Sequence, residues 1–187
     1  MEIKNTRIEG CFTIKPKVFK DDRGYFFESF NQKHFETAIG REVHFVQDNQ
    51  SFSSRGVLRG LHFQQGDFAQ AKLVRVLSGE VLDIAVDLRQ NSATYGNVIS
   101  ILLSDTNNTQ VFIPRGCAHG FITLSKNAIF SYKCDNYYDQ SSESGLLYND
   151  DFFNIDWQIP EEEMIISEKD KLLPTFKQLT ETILFKP

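Results

Sequence analysis

GEVLDIAVDLR, residues 79–89, is the stretch that decides the fold. Leu82, Ile84, Val86 and Leu88 recur at every second position, and Val81, Asp83, Ala85 and Asp87 fill the places between them. Successive side chains of an extended chain point to opposite faces, so this spacing is that of a strand. Outward from it the same reading holds in AKLVRVLSG (71–79), GNVISILLS (96–104), TQVFIP (109–114), HGFITLS (119–125) and AIFSYKCDNYY (128–138). Toward the N-terminus it holds in CFTIKPKVF (11–19), GYFFESF (24–30) and VHFVQDNQSF (43–52). Turn-forming residues separate the strands: Asp21-Asp22, Gly66-Asp67, Ser78-Gly79, Asn91-Ser92, Asp105 to Asn108 and Lys126-Asn127. Many short strands at close spacing predict an all-β barrel or sandwich. Helical pattern is confined to NQKHFETAI (31–39) and to the segment after Pro160, where ISEKDKLLPTFKQL mixes turns with a short helix.

The composition fits one domain over residues 1–187. No Pro/Gly/Ser-rich linker divides the chain, and 41% hydrophobic with 24% charged residues is ordinary for a globular protein. No apolar run approaches the roughly 20 residues that a membrane helix needs, so no membrane association is expected. The start, MEIKNTRIEGCF, lacks the apolar core of a signal peptide. Cys11, Cys117 and Cys134 are odd in number and form no CxxC pair, which fits reduced thiols in the cytoplasm better than a disulfide framework or a zinc site. A net charge of −5 argues against nucleic acid as a partner. An anionic small ligand remains compatible if the cations gather in one cleft.

GVLRGLHFQ, residues 56–64, poses a problem of geometry. It reads as a strand, yet Arg59 and His62 are three apart, and an ideal strand points them to opposite faces. Gly60 between them offers a resolution, because glycine inside a strand marks a bulge or kink.

Other polar residues also lie inside apolar strands, where charge is costly without a partner or a purpose. They are Gln47, Asn49, Lys72, Asp83, His119 and Tyr132. Singly, each is an ordinary barrel residue with a satisfied hydrogen bond, and Lys72 is a lysine snorkelling to the rim. As a set on neighbouring strands they mark a site. Asp83 faces away from the stripe of Leu82, Ile84, Val86 and Leu88, which makes it a candidate charge partner for Lys72 or His119. Dinucleotide, Walker-type and hydrolase-elbow motifs are absent: there is no GxGxxG, GxxxxGK[ST] or GxSxG. Cys117 and His119, at i and i+2 on one strand, are better read as neighbours than as a nucleophile and base.

PRGCAH (114–119) matches the PxGxxH element of the cupin superfamily. Gly56 followed by His62 resembles the start of its other element, GxxxxxHxH, but the second histidine is replaced in His62-Phe63-Gln64. Without the histidine pair the usual metal cage is incomplete. More specifically, QDNQSFSSRGVLRGLHFQ (47–64), AQAKLVRVLSGEVLDIAVDLR (69–89), PRGCAHGF (114–121), YKCDNYY (132–138) and SEKD (167–170) resemble the dTDP-4-dehydrorhamnose 3,5-epimerases. With FKDDRGYFFESF (19–30) the likeness runs along nearly the whole chain. Gln50, Gly66-Asp67 and Cys117 stand where that family commonly has a histidine, a Pro-Pro and an aromatic residue.

The resemblance implies a cupin-type jelly-roll barrel with a few short peripheral helices. It implies a dTDP-4-keto-6-deoxy-hexose substrate, inversion at C3 and C5 beside the C4 ketone, and no metal or other cofactor. Imidazole, with an unperturbed pKa of about 6.5, suits the base. By resemblance His62 is that base, Asp170 orients it, Lys72 stabilises the oxyanion and Tyr132 is the acid. Arg23, Arg59 and Lys169 match positions for the pyrophosphate. Gln47, Asp48, Asn49, Glu28, His119 and Glu143 match positions for the nucleotide or sugar, with Phe26 and Tyr138 as stacking faces for thymine. The bland reading of Arg23 and Glu28 is an exposed pair after a turn. The family's homodimer with exchanged N-terminal strands implies instead that they serve the partner's site. Three alternatives stay open here: a C3-only epimerase or ketoisomerase of a related dTDP-sugar, a metal-dependent cupin oxygenase, and a non-catalytic sugar-nucleotide binding module.

Overall fold

Strand Glu80–Asp87 is buried on both of its faces from Val81 onward. The computed structural model, which describes residues 1–182, shows why. In chain order its elements are β1 (Glu2–Asn5), β2 (Phe12–Lys15), β3 (Phe19–Asp21), β4 (Gly24–Phe26), α1 (Gln32–Ile39), β5 (Gln47–Ser54), β6 (Val57–Gln64), β7 (Lys72–Ser78), β8 (Glu80–Asp87), β9 (Val98–Ser104), β10 (Gln110–Ile113), β11 (Cys117–Thr123), β12 (Asn127–Cys134), β13 (Glu143–Gly145), β14 (Ile165–Ile166), α2 (Glu168–Lys171) and α3 (Phe176–Thr182). One sheet runs β1-β2-β10-β7-β12-β5, and the other β13-β6-β11-β8-β9, with β14 added in parallel to β6. Every other pairing is antiparallel, and β3 and β4 form a separate two-stranded ribbon.

The two sheets face each other around an interior of Val74, Val76, Val81, Ala85, Val111, Phe121 and Phe130, among others. Phe121 and Phe130, from opposite sheets, stack with ring centres 4.2 Å apart. The apolar stripe Leu82, Ile84, Val86 and Leu88 lies outside this interior. It packs under Leu146, Trp157, Ile159, Phe176 and Leu179 of the C-terminal third. The face with the aspartates is therefore the inner one, and burial of both faces explains the near-continuous apolar run. On the outer face of the first sheet, Leu73 and Phe112 are covered by Phe35 of α1 and by Val43.

The strands expected around residues 71–138 are present within two residues of their ends, except that β12 stops at Cys134 where AIFSYKCDNYY was expected to run on to Tyr138. Three expectations nearer the N-terminus are corrected. CFTIKPKVF is two strands interrupted at Pro16, which has no N–H to give a ladder. GYFFESF is extended in pairing only through Phe26, and VHFVQDNQSF joins its sheet only from Gln47. β1, β13 and β14, of two to four residues each, carry too little pattern to be read from sequence.

Candidate active site

The problem posed by GVLRGLHFQ is settled by strand register. Between β6 and β11, His62 pairs with His119 but Arg59 pairs with Phe121, so three residues of β6 oppose two of β11. That extra residue is a bulge, and it turns Arg59 and His62 to the same inner face. The bulge falls at Gly60-Leu61, where the peptide is cis and Gly60 has φ +116°. A side chain at Gly60 would meet Gly120 Cα and His119 O at 2.7 Å each, so glycines on both strands permit the close approach.

His62 is held from the far end of the chain. Ile165–Ile166 adds to β6 opposite Val57–Leu58, and the Ser167 side chain then accepts from the Asp170 N–H, capping α2. This places the Asp170 carboxylate 2.7 Å from His62 Nε2 and 3.3 Å from the Gly60 N–H. Burial works to raise the Asp170 pKa, but the hydrogen bond and charge of His62, the Gly60 N–H and Ser167 outweigh it and hold the carboxyl below its usual range. An ionised Asp170 requires the His62 Nε2–H to donate. Nδ1 is left with its lone pair.

Across the cavity, on the other sheet, stand Lys72 at the start of β7 and Tyr132 on β12. The Lys72 ammonium lies 5.8 Å from the centre of the Tyr132 ring. Among the described residues, neither Lys72 Nζ nor the Tyr132 hydroxyl has a hydrogen-bond partner. Burial lowers the Lys72 pKa against the pull of Cys134, Asp83 and Glu143, and burial raises that of Tyr132. Asp83 does find a partner, His119, whose Nε2 is 2.7 Å from Asp83 Oδ1. Burial pushes the Asp83 pKa up and the His119 pKa down, against the mutual attraction of the pair.

A polar rim borders the cavity. Arg59 Nε donates to Ser53 Oγ at 3.1 Å, reaching from the second sheet to β5 on the first. Gln47 Nε2 donates to Asn49 Oδ1 at 3.1 Å. Glu143 Oε2 accepts from the Tyr138 hydroxyl at 2.8 Å and from Lys169 Nζ at 2.6 Å. Burial opposes ionisation of Glu143, yet Lys169 and Tyr138 hold its pKa below the usual range.

Four expected residues are not brought to this cavity within the chain. Asp48 faces outward on β5, between Gln47 and Asn49, and pairs with Lys133 at 2.9 Å, because alternate residues of a strand point opposite ways. Arg23, on the β3–β4 turn, is 89% exposed and pairs with Asp21. Phe26 is 71% exposed. Glu28 accepts from Asn31 and meets His34. Conversely, Ser53, which holds Arg59, was not singled out from the sequence, although it shares a strand face with Gln47 and Asn49. Among the described residues no three His, Cys, Asp or Glu side chains converge as a cation cage.

A jelly-roll barrel with an aspartate-held histidine facing a tyrosine and a lysine defines a cupin-type epimerase. The match to known proteins makes the class specific: the family model described as dTDP-4-dehydrorhamnose 3,5-epimerase covers residues 5–178. The dTDP-4-dehydrorhamnose 3,5-epimerase of Salmonella typhimurium is 51% identical over 181 residues, spanning 95% of this chain and 97% of the relative. The crystal structure of the Elizabethkingia anophelis enzyme superposes with a TM-score of 0.92 at 54% identity, covering 95% of this chain and 97% of that one. The Legionella pneumophila enzyme, in complex with dTDP-4-keto-L-rhamnose, gives 0.90 at 45% identity, covering 94% and 93%. The chain belongs to the dTDP-4-dehydrorhamnose 3,5-epimerase family and is an isomerase.

Proposed function

We propose that His62 and Tyr132 carry out the two inversions that convert dTDP-4-dehydro-6-deoxy-D-glucose to dTDP-4-dehydro-L-rhamnose. The hydrogens at C3 and C5 are acidic because the carbanion left behind delocalises into the C4 carbonyl as an enolate. His62 Nδ1 takes the proton, and Asp170 supports the imidazolium that forms. Lys72, whose Nζ has no hydrogen-bond partner among the described residues, donates to the enolate oxygen. Tyr132 returns a proton from the opposite side, which inverts the carbon. The observation that carries this reading is the placement of His62 and Tyr132 on the inner faces of different sheets. Each cycle removes one proton and restores one, so the step is redox-neutral.

Arg59 and Lys169 take the diphosphate, Gln47, Asn49, His119 and Glu143 the sugar and nucleotide, and Tyr138 the thymine face. Arg23, Phe26 and Glu28 act, in this reading, in a homodimer with exchanged N-terminal strands. Supporting it, Phe19, Tyr25, Phe26 and Phe52 are all more than half exposed, and Arg75 Nη1, buried on the outer sheet face, has no hydrogen-bond partner among the described residues. Three buried free thiols accord with a cytoplasmic location, and no described helix is long and apolar enough to cross a membrane.

Turnover in heavy water tests the reaction. Deuterium at both C3 and C5 of the product is expected; deuterium at C3 alone would reduce the activity to a C3 epimerase, and none at either would leave a binding module.

A further inference from the structure

The rim carries one arrangement that the chemistry above does not use. Tyr138 and Asp139 present consecutive backbone N–H groups to two glutamines on different sheets. Tyr138 N donates to Gln47 Oε1 at 3.1 Å, on β5, and Asp139 N donates to Gln64 Oε1 at 3.0 Å, on β6. β5 is the last strand of its sheet and β6 carries the base, so these two bonds stitch the loop across the opening between the sheets.

Gln64 is only 6% exposed and follows His62 by two residues, sharing its inner face. It also occupies the place of the missing second histidine in the HxH pattern. The loop it holds is braced by further hydrogen bonds. Asp139 Oδ1 accepts from the Ser142 N–H at 2.9 Å, and the Gln65 N–H donates to Ser142 O at 2.9 Å. Glu143, opposite Gln64 in the β6–β13 pairing, closes the chain of contacts through the Tyr138 hydroxyl to Lys169. Movement of the 138–142 segment therefore displaces Tyr138, Glu143 and Lys169 together.

We propose that Gln64 is a positioning residue for the nucleotide end of the substrate: its side-chain carbonyl fixes the loop that presents Tyr138, and the position that would hold a metal in a histidine-paired cupin holds a backbone amide here. This rests on the reading of Tyr138 as a nucleotide contact. Gln64 touches no reacting atom, so its loss acts on binding and spares the proton transfers.

The test uses the full-length Gln64→Met variant, which keeps length and loses the acceptor, and Gln64→Asn, which keeps the amide but withdraws its carbonyl by one methylene. Losing one hydrogen bond that orders the loop predicts about a tenfold weaker affinity for dTDP, a similar rise in KM, kcat within about twofold, and about tenfold faster hydrogen exchange at the Asp139 amide. Unchanged dTDP affinity in both variants, or a fall in kcat at constant KM, overturns the proposal, provided that Tyr138→Leu weakens dTDP binding. If Tyr138→Leu also leaves dTDP binding untouched while the Asp139 amide exchanges faster, the nucleotide role of Tyr138 has failed and the clamp stands as a structural one.

Discussion

His62 Nε2 and Asp170 Oδ1 are 2.7 Å apart although 108 residues separate them in the chain. The base is therefore completed by the C-terminal segment, which lays Ile165–Ile166 along β6 ahead of α2. His62→Asn removes the proton acceptor and leaves the rim of Arg59, Gln47 and Glu143 in place. It should lower kcat by about 10³-fold, the span general-base loss commonly covers, with dTDP affinity within about twofold. Asp170→Asn should cost about 10²-fold, since the imidazole stays but its cation loses support. Single-turnover kinetics with dTDP titration separates the two effects; equal activity of Asp170→Asn and the parent would refute the dyad.

The same contact sets a pH dependence of stability. Asp170 and Glu143 both have folded pKa values held below the ordinary carboxylate range, Asp170 by His62 and Glu143 by Lys169 and Tyr138, each against the opposing effect of burial. A carboxyl with a depressed folded pKa contributes stability that is complete above its unfolded value, about 4, and disappears as the pH falls through the folded value. Thermal midpoints measured from pH 6 down to pH 3 should therefore fall for the parent and fall less steeply for Asp170→Asn. The gap between the two proteins narrows on acidification. Parallel curves would show that Asp170 is not ionised by its surroundings in the way described.

Gly60→Ala tests the bulge. At φ +116°, with Gly120 Cα and His119 O 2.7 Å from the new Cβ, neither backbone can yield as a flexible side chain would. Strain at such an angle together with overpacking predicts a loss of about 2–5 kcal/mol in denaturant unfolding. Residual folded protein should have lost most of its activity, because Arg59 and His62 share a face only through this bulge. A variant as active and stable as the parent would disprove that dependence.

Much of this was legible in the sequence, and the exceptions have physical causes. Period-two alternation identified β7 to β12, most of them long enough to repeat their pattern, and Arg59 and His62 around Gly60 foretold a local departure from the pleat. Asp83 was recognisable as needing a charge partner, Lys72 or His119, because a carboxylate inside an apolar strand is costly alone, and the structure pairs it with His119. Alternation could not say which face of β8 looks inward, since both faces are buried and only the C-terminal cover distinguishes them. Nor could it find Gln64, whose role depends on the backbone of a loop 75 residues away. Asp48 was misjudged by adjacency: it stands between two rim residues in sequence, and strand geometry sends it the other way.

Tyr132→Phe should separate removal of the proton from its return. The ring remains against Phe130, 6.1 Å between centres, so packing is conserved and only the hydroxyl is lost. His62 can still abstract a proton and give it back on the same face, so exchange with heavy water at the substrate's reactive carbon should persist. Inversion should slow by about 10²- to 10³-fold, the contribution expected of a positioned acid. Loss of exchange and inversion in equal measure would argue that Tyr132 supports proton removal instead.

The N-terminal ribbon supplies the last test. Arg23 and Glu28 bond only to neighbours in their own segment, and no hydrogen bond, ion pair or ring contact among the described residues ties either to the cavity. If they complete the partner's site, Arg23→Ala and His62→Asn impair different halves of one composite centre. Each homodimer then has two defective sites. A mixed dimer, however, contains one site built from an intact His62 and an intact Arg23, and another in which both are altered. Unfolding and refolding the two variants together at equal concentration should place about half of the chains in mixed dimers, so activity should recover to about a quarter of the parent's, well above either variant alone. Light scattering should show two chains per particle throughout. Activity that stays at the average of the two variants would mean that the ribbon serves its own chain or no site at all.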